Sequence, residues 1–68
     1  MPNSMIFIEQ AIRMLLREEG PMDRSPLISR VAEQMHLIDL STLIESTLDS
    51  MITKGELRYD ENGKIRFR

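Results

Sequence analysis

The first part of the chain repeats its hydrophobic residues with the period of an amphipathic helix. The pattern predicts a helix from about Ser4 to Glu18, with Ser4 as its N-cap and Gly20-Pro21 as its stop. Phe7 and Met14 widen the apolar face beyond half of the circumference, which indicates contacts on two sides. The helix is then either the centre of a small core, or it uses Phe7 and Met14 as a homodimer or partner surface. The main apolar face consists of Met5, Ile8, Ala11, Ile12, Leu15 and Leu16.

A second helix is predicted over residues 26–36, after a short extended connector. Met22, in the connector, can point inward as a one-pair strand. Ser25 is the predicted cap and Pro26 the first helical residue, because proline needs no N–H partner there. His36 is expected to cap the helix or pack in the turn that follows it. The apolar stripe consists of Leu27, Ile28, Val31, Ala32 and Met35.

A third helix is predicted over residues 40–54. Asp39 is the preferred N-cap and Ser41 the alternative. Lys54 favours the negative end of the helix dipole, and Gly55 supplies a left-handed stop. The apolar stripe consists of Leu40, Leu43, Ile44, Thr47, Leu48, Met51 and Ile52.

Residues 56–68 change to the alternation of a β-hairpin around a turn at residues 60–63. One face of the hairpin is apolar and carries Leu57, Tyr59, Ile65 and Phe67. The other face is basic and carries Arg58, Lys64, Arg66 and Arg68. The whole pattern predicts one mainly α domain, residues 1–68, with a small antiparallel hairpin.

Composition restricts the chemistry of this small domain. The 68 residues include no cysteine and one histidine, so we expect neither a metal site nor a cofactor. Carboxylates fall at helix ends and turns, where a solvated surface is the ordinary interpretation, and we expect no enzyme activity. The apolar runs are too short to span a membrane. The expected location is intracellular and cytoplasmic, or nucleoid-associated if the protein binds DNA.

Charge is distributed unevenly along the chain. The net charge is −2, with five basic and eight acidic residues in 1–55 and four basic and three acidic in 56–68. An attraction for phosphate must therefore be local and near the hairpin. Its cations can follow a phosphate backbone, although charge also protects exposed strands from aggregation. Arg24 and Arg30 could extend the basic footprint.

The outer face of the third helix is polar and acidic. Ser41, Thr42 and Ser46 can donate hydrogen bonds to nucleic acid. Glu45 and Asp49 would repel phosphates, and they are candidates for a protein-binding surface. No arginine lies on this face, although arginine is the commonest reader of bases in the major groove.

The end of the third helix resembles the winged helix-turn-helix superfamily. The resemblance lies in Leu48, Met51, Ile52, Lys54-Gly55, Leu57 and the hairpin ending Gly63-Lys64-Ile65. It implies a three-helix domain with a β-hairpin wing. That superfamily includes transcription regulators, C-terminal domains of archaeal replicative helicases, a replication protein A subunit and Z-DNA-binding domains. The third helix here lacks the asparagine and tyrosine on which Z-DNA binders rely.

Two functions remain open at this point. The first is a DNA-binding accessory or transcription-regulatory factor that contacts phosphates through Arg58, Lys64, Arg66 and Arg68. The second is a protein-interaction module that docks a partner through the acidic third helix or through the Phe7/Met14 flank.

Overall fold

The computed structural model describes residues 4–36 and 41–68. These residues form three helices and one two-stranded antiparallel sheet, so the fold is mainly α with a small hairpin. Each described helix boundary lies within about two residues of the boundary that hydrophobic periodicity predicts. The elements are α1 (Ser4–Glu19), α2 (Arg24–Met35), α3 (Ser41–Thr53), β1 (Leu57–Tyr59) and β2 (Ile65–Phe67).

The core is the meeting point of the apolar stripes of all three helices with one side chain from each strand. Leu57 and Ile65 supply the strand contributions and close the core from the hairpin side. A fully buried leucine or isoleucine contributes about 1.5–3 kcal/mol, so these contacts fix the hairpin against the helices. The helices contribute Ile8, Ile12, Leu15, Leu16, Leu27, Val31, Ala32, Ile44, Leu48 and Met51.

Met22 forms the one-pair strand that its position in the connector predicts. Its N–H donates to the Ile65 carbonyl at 3.0 Å, and the Ile65 N–H donates to the Met22 carbonyl at 2.7 Å. Ile65 lies in β2, so β2 has Met22 on one side and β1 on the other. The connector between α1 and α2 is therefore bonded directly to the hairpin.

The start of α2 corrects the sequence-based prediction. Asp23 is the N-cap in extended conformation (φ −66°, ψ 151°), so the prediction of Ser25 as the cap was wrong. The Leu27 N–H donates to the Asp23 carbonyl at 3.1 Å, which starts the first turn two residues earlier than expected. Pro26 is still tolerated, because N–H groups of the first turn have no intrahelical acceptor.

The end of α2 is a left-handed cap formed by His36 (φ 55°, ψ 38°). Its backbone N–H is directed at the carbonyls of Ala32 and Glu33. Histidine tolerates this conformation better than most non-glycine residues do. The role predicted for His36 is therefore confirmed, whereas Asp39, the predicted cap of α3, lies outside the described residues.

The end of α3 is a Schellman motif. The Gly55 N–H donates to the Ile52 carbonyl and the Glu56 N–H to the Met51 carbonyl, both at 3.0 Å. Gly55 has φ +88°, a conformation that side chains disfavour, as the predicted left-handed stop requires. The chain turns sharply at this motif and enters β1.

Candidate nucleic-acid interface

The outer face of the hairpin carries two arginines in direct opposition. Arg58 in β1 and Arg66 in β2 are Cα partners in the antiparallel register, and both are exposed. Like charges at directly opposite positions destabilise a strand pair. Within residues 4–36 and 41–68, neither guanidinium forms an ion pair. We call these two residues the arginine pair.

Lys64 and Arg68 lie at the two ends of the basic row. The Lys64 ammonium lies 3.4 Å from an Asp23 carboxylate oxygen, so part of its charge is compensated. The Arg68 side chain lies against Gly55, just after the end of α3. Its backbone N–H donates to the Glu56 carbonyl at 3.0 Å and extends the pairing of the strands. The four predicted phosphate contacts are therefore unequal.

Asp60 closes the hairpin turn. Its backbone N–H donates to the Lys64 carbonyl at 2.8 Å, and its carboxylate accepts the N–H groups of Lys64 and Asn62. These bonds lower the pKa of the carboxyl, mainly through Lys64, and the nearby charges of Arg66 and Arg58 lower it further. The carboxylate therefore belongs to the turn, and it lies close to the arginine pair without forming an ion pair with it.

Arg24 connects three elements at the start of α2. Its Nη1 and Nη2 donate to the two Asp49 carboxylate oxygens at 2.8 and 3.2 Å, and Nη1 also donates to the Tyr59 hydroxyl at 3.1 Å. A Glu45 carboxylate oxygen is 3.8 Å from Nη2. The hydrogen bond to Asp49, followed by that to Tyr59, raises the pKa of Arg24. We call this group the Arg24 cluster.

The Arg24 cluster reduces the negative charge that the acidic face of α3 presents to a binding partner. Glu45 and Asp49 are exposed, as predicted, but one guanidinium already compensates part of their charge. Sequence reasoning missed this contact because Arg24 and Asp49 are separated by 25 positions and no short-range pattern relates them. The hydroxyl-bearing residues on the same face, Ser41, Thr42 and Ser46, are all exposed.

Arg24 and Arg30, which could have extended the basic footprint of the hairpin, both have carboxylate partners. Arg30 lies 3.8 Å from a Glu19 carboxylate oxygen, and Arg24 belongs to its own cluster. A further arginine, Arg13, donates to both Glu56 carboxylate oxygens, with Nη2 at 2.9 Å. Arg13 fixes the start of the hairpin against α1 and lowers the pKa of the Glu56 carboxyl.

The structure places Phe7 and Met14 outside the core, with exposed fractions of 60% and 53%. Ile6, which the helical pattern did not single out, is 50% exposed on the same helix. The exposure of Ile6 was not predicted. The apolar residues of α1 cover more of its circumference than the face that packs in the core, so some of them remain at the surface. The structure therefore leaves a further apolar side chain of α1 exposed, one residue before Phe7.

Comparison with protein-family models, curated proteins and solved structures returned no significant match for this chain. The described stretches contain no group of three or more histidine, aspartate or glutamate residues that could hold a metal ion. No helix among them is both long and apolar enough to cross a membrane.

Proposed function

We propose that this chain is a winged helix-turn-helix domain that binds nucleic acid through the outer face of its hairpin wing, as a DNA-binding accessory or regulatory factor. The order of three helices followed by a hairpin supports this fold. The bridge between Met22 and Ile65 supports it further, because it adds the short strand expected between the first two helices. The Schellman turn at Gly55 supplies the direct passage from the third helix to the wing.

The arginine pair is the observation that carries the proposed function. Arg58 and Arg66 face each other across the strands without an ion-pair partner in the described part of the chain. This arrangement costs folding stability, whereas an acidic residue at either position would recover it. A phosphate group between the two guanidinium groups would compensate both charges with charge-assisted hydrogen bonds. Lys64 and Arg68 would then contact neighbouring phosphates.

Binding of this kind contacts the nucleic-acid backbone and does not read bases. The third helix has no arginine on its exposed face, and its Ser41, Thr42 and Ser46 hydroxyls can add weak donors to phosphates. We therefore expect modest sequence preference and a strong dependence on salt concentration. Docking of a protein partner on the acidic third helix has less support, because Glu45 and Asp49 already share Arg24.

Titration of labelled duplex DNA at low and moderate salt tests this function. The unmodified chain should bind, with an affinity that falls steeply as salt rises. The double variant Arg58→Glu/Arg66→Glu should lose binding. The matched control is Arg17→Glu/Arg30→Glu, which changes the net charge equally outside the hairpin and should retain most of the affinity. Absence of binding at low salt, or equal losses in both double variants, would contradict the proposal.

A further inference from the structure

Asn62 and Gly63 lie at the tip of the wing, in the turn that joins β1 to β2. Both residues are exposed, and the space beside the Gly63 Cα is open. Gly63 has φ +77°, so this turn favours glycine at that position. The other asparagine in the sequence, Asn3, is followed by Ser4. The wing tip therefore carries the one Asn-Gly pair of the sequence, and carries it at the surface.

An asparagine followed by glycine has a specific chemical reactivity. The Gly63 backbone nitrogen can attack Cγ of the Asn62 side chain and close a succinimide ring. The side-chain nitrogen then leaves as ammonia and takes the proton of the Gly63 amide with it. Water opens the ring at either carbonyl and gives aspartate or isoaspartate. Glycine has no side chain to hinder the ring, and asparagine is a thermolabile residue in proteins.

The folded turn restrains this reaction through Asp60. The Gly63 N–H, whose nitrogen is the nucleophile, donates to the Asp60 carbonyl at 3.0 Å. The Asp60 carboxylate accepts the Asn62 N–H at 2.8 Å and the Lys64 N–H at 3.0 Å. The nucleophile must lose its proton, so it reacts when the turn opens. Surface turns open more readily than core elements do.

The reaction would add a negative charge close to the arginine pair. The pKa of the Asp60 carboxyl is lowered mainly by the Lys64 N–H, and also by the charges of Arg66 and Arg58, which therefore lie near this turn. The Asn62 N–H is bonded to the same carboxylate. In the isoaspartate product the backbone also gains one carbon atom, which disturbs the register of a tight hairpin.

We infer that Asn62-Gly63 is a site of spontaneous deamidation, which adds a carboxylate to the wing beside the arginine pair and weakens its contact with phosphate. The chemical step consumes only water and does not depend on what the chain binds. Its effect on binding rests on the proposed function.

Incubation of the full chain at neutral and mildly alkaline pH, followed by peptide mass spectrometry, tests the chemical step. Residue 62 should gain the mass difference between an amide and a carboxylic acid, and it should do so faster as pH rises. Denaturant should accelerate the conversion at least about tenfold, because it opens the turn. Asn62→Gln is the matched control. Glutamine keeps the amide but must close a larger ring, so this variant should remain unconverted.

Variants of the turn test the restraint by Asp60. Asp60→Ala should accelerate the conversion about threefold to tenfold, the range expected when the hydrogen bonds of the carboxylate are lost. Glu61→Ala removes the same charge from the same turn and should change the rate by less than about twofold.

A charge variant tests the effect on the nucleic-acid interface. Asn62→Asp adds the carboxylate directly and should weaken binding to duplex DNA about threefold at low salt. Gln10→Glu adds the same charge at an exposed position of α1 and should weaken binding less. If the unmodified chain failed to bind DNA, the proposed function would be wrong, and mass spectrometry would still decide whether Asn62 is converted.

Three results would overturn the inference. Asn62 could remain unconverted in the folded chain. The conversion could be as fast in the folded chain as in denaturant, so that the turn would not restrain it. Asn62→Asp and Gln10→Glu could weaken DNA binding equally, so that a carboxylate at the wing tip would have no special effect on the arginine pair.

Discussion

The wing and the third helix both present charged side chains at the surface, but the fold treats the two groups differently. On the wing, Arg58 and Arg66 oppose each other without an ion-pair partner among the described residues. On α3, Glu45 and Asp49 share Arg24, which arrives from the start of α2. A charge in an ion pair within the molecule contributes to folding stability, whereas two like charges opposite each other, near only the Asp60 carboxylate, cost stability. The wing is therefore the better candidate for binding an external ion.

Reversing the charge of one arginine in the arginine pair tests this comparison, and of these tests it should change DNA affinity the most. Arg58→Glu would place a carboxylate opposite Arg66 and should stabilise the hairpin by roughly 0.2–1 kcal/mol. The same change should weaken binding to duplex DNA about 100-fold, because it removes one cation and adds an anion at the proposed phosphate site. Thermal unfolding and DNA titration would measure the two effects.

Arg58→Gln is the control for this reversal. It removes one cation without adding a carboxylate, so its stability and its DNA affinity should both lie between those of the unmodified chain and Arg58→Glu. If Arg58→Glu lowered both the melting temperature and the DNA affinity, the arginine pair would stabilise the fold. The proposal that this pair costs folding stability and favours phosphate binding would then be wrong.

Neutralising the acidic residues of α3 tests the other side of the comparison. Glu45→Gln/Asp49→Asn would remove two anions and release Arg24, so DNA affinity should rise about tenfold at low salt. Stability should fall by at most about 1 kcal/mol, because the ion pairs are exposed. Glu18→Gln/Glu33→Gln makes the same charge change outside both α3 and the hairpin and should raise the affinity less. Equal gains in both variants would mean that α3 does not lie near the bound DNA.

Acid should weaken the attachment of the wing to the helices. The Arg13 guanidinium lowers the pKa of the Glu56 carboxyl, and turn N–H groups lower the pKa of the Asp60 carboxyl. A carboxyl whose folded pKa lies below its unfolded value stabilises the fold above the unfolded pKa, and this stability is lost as pH falls through the folded pKa. Unfolding free energy should therefore decrease below about pH 5.

Glu56→Gln isolates the contribution of the Arg13 ion pair. At neutral pH this variant should lose about 1 kcal/mol, the upper range for a partly exposed pair. Below the pKa of Glu56 the variant and the unmodified chain should have nearly equal stability. Denaturant unfolding from neutral to acidic pH measures the difference. A difference that stayed constant with pH would mean that the carboxylate charge does not hold the wing.

Local patterns in the sequence predict most of this fold, and long-range pairing of charges explains the part they miss. The helices, the one-pair strand at Met22 and the left-handed stop at Gly55 follow from short-range chemistry, and the structure contains each of them. The start of α2 was misplaced because Ser25-Pro26 and Asp23 both suit a helix start, and Pro26 is compatible with either. The register of the hairpin likewise follows from its alternation and turn.

The candidate interface was less predictable, because the ability of each cation to bind phosphate depends on whether it already has an ion-pair partner. Alternation placed Arg58, Lys64, Arg66 and Arg68 on one face as four equivalent cations. Only the tertiary structure distinguishes the arginine pair from Lys64, which forms an ion pair with Asp23, 41 positions earlier in the chain. The same limit applies to α3, where the partner of Asp49 could not be found from spacing.

Lys64 provides the finest test of the comparison, because it is a wing cation with an ion-pair partner, Asp23, whereas Arg58 and Arg66 have none among the described residues. Lys64→Gln should weaken DNA binding by only about threefold, less than Arg58→Gln, since Asp23 already shares the lysine charge. Asp23→Asn should have the opposite effect and strengthen binding slightly, because it releases the Lys64 ammonium toward the ligand. Titrations at one fixed low salt concentration would rank the three variants. If Lys64→Gln weakened binding as much as Arg58→Gln, compensation within the molecule would not determine which wing cations bind phosphate.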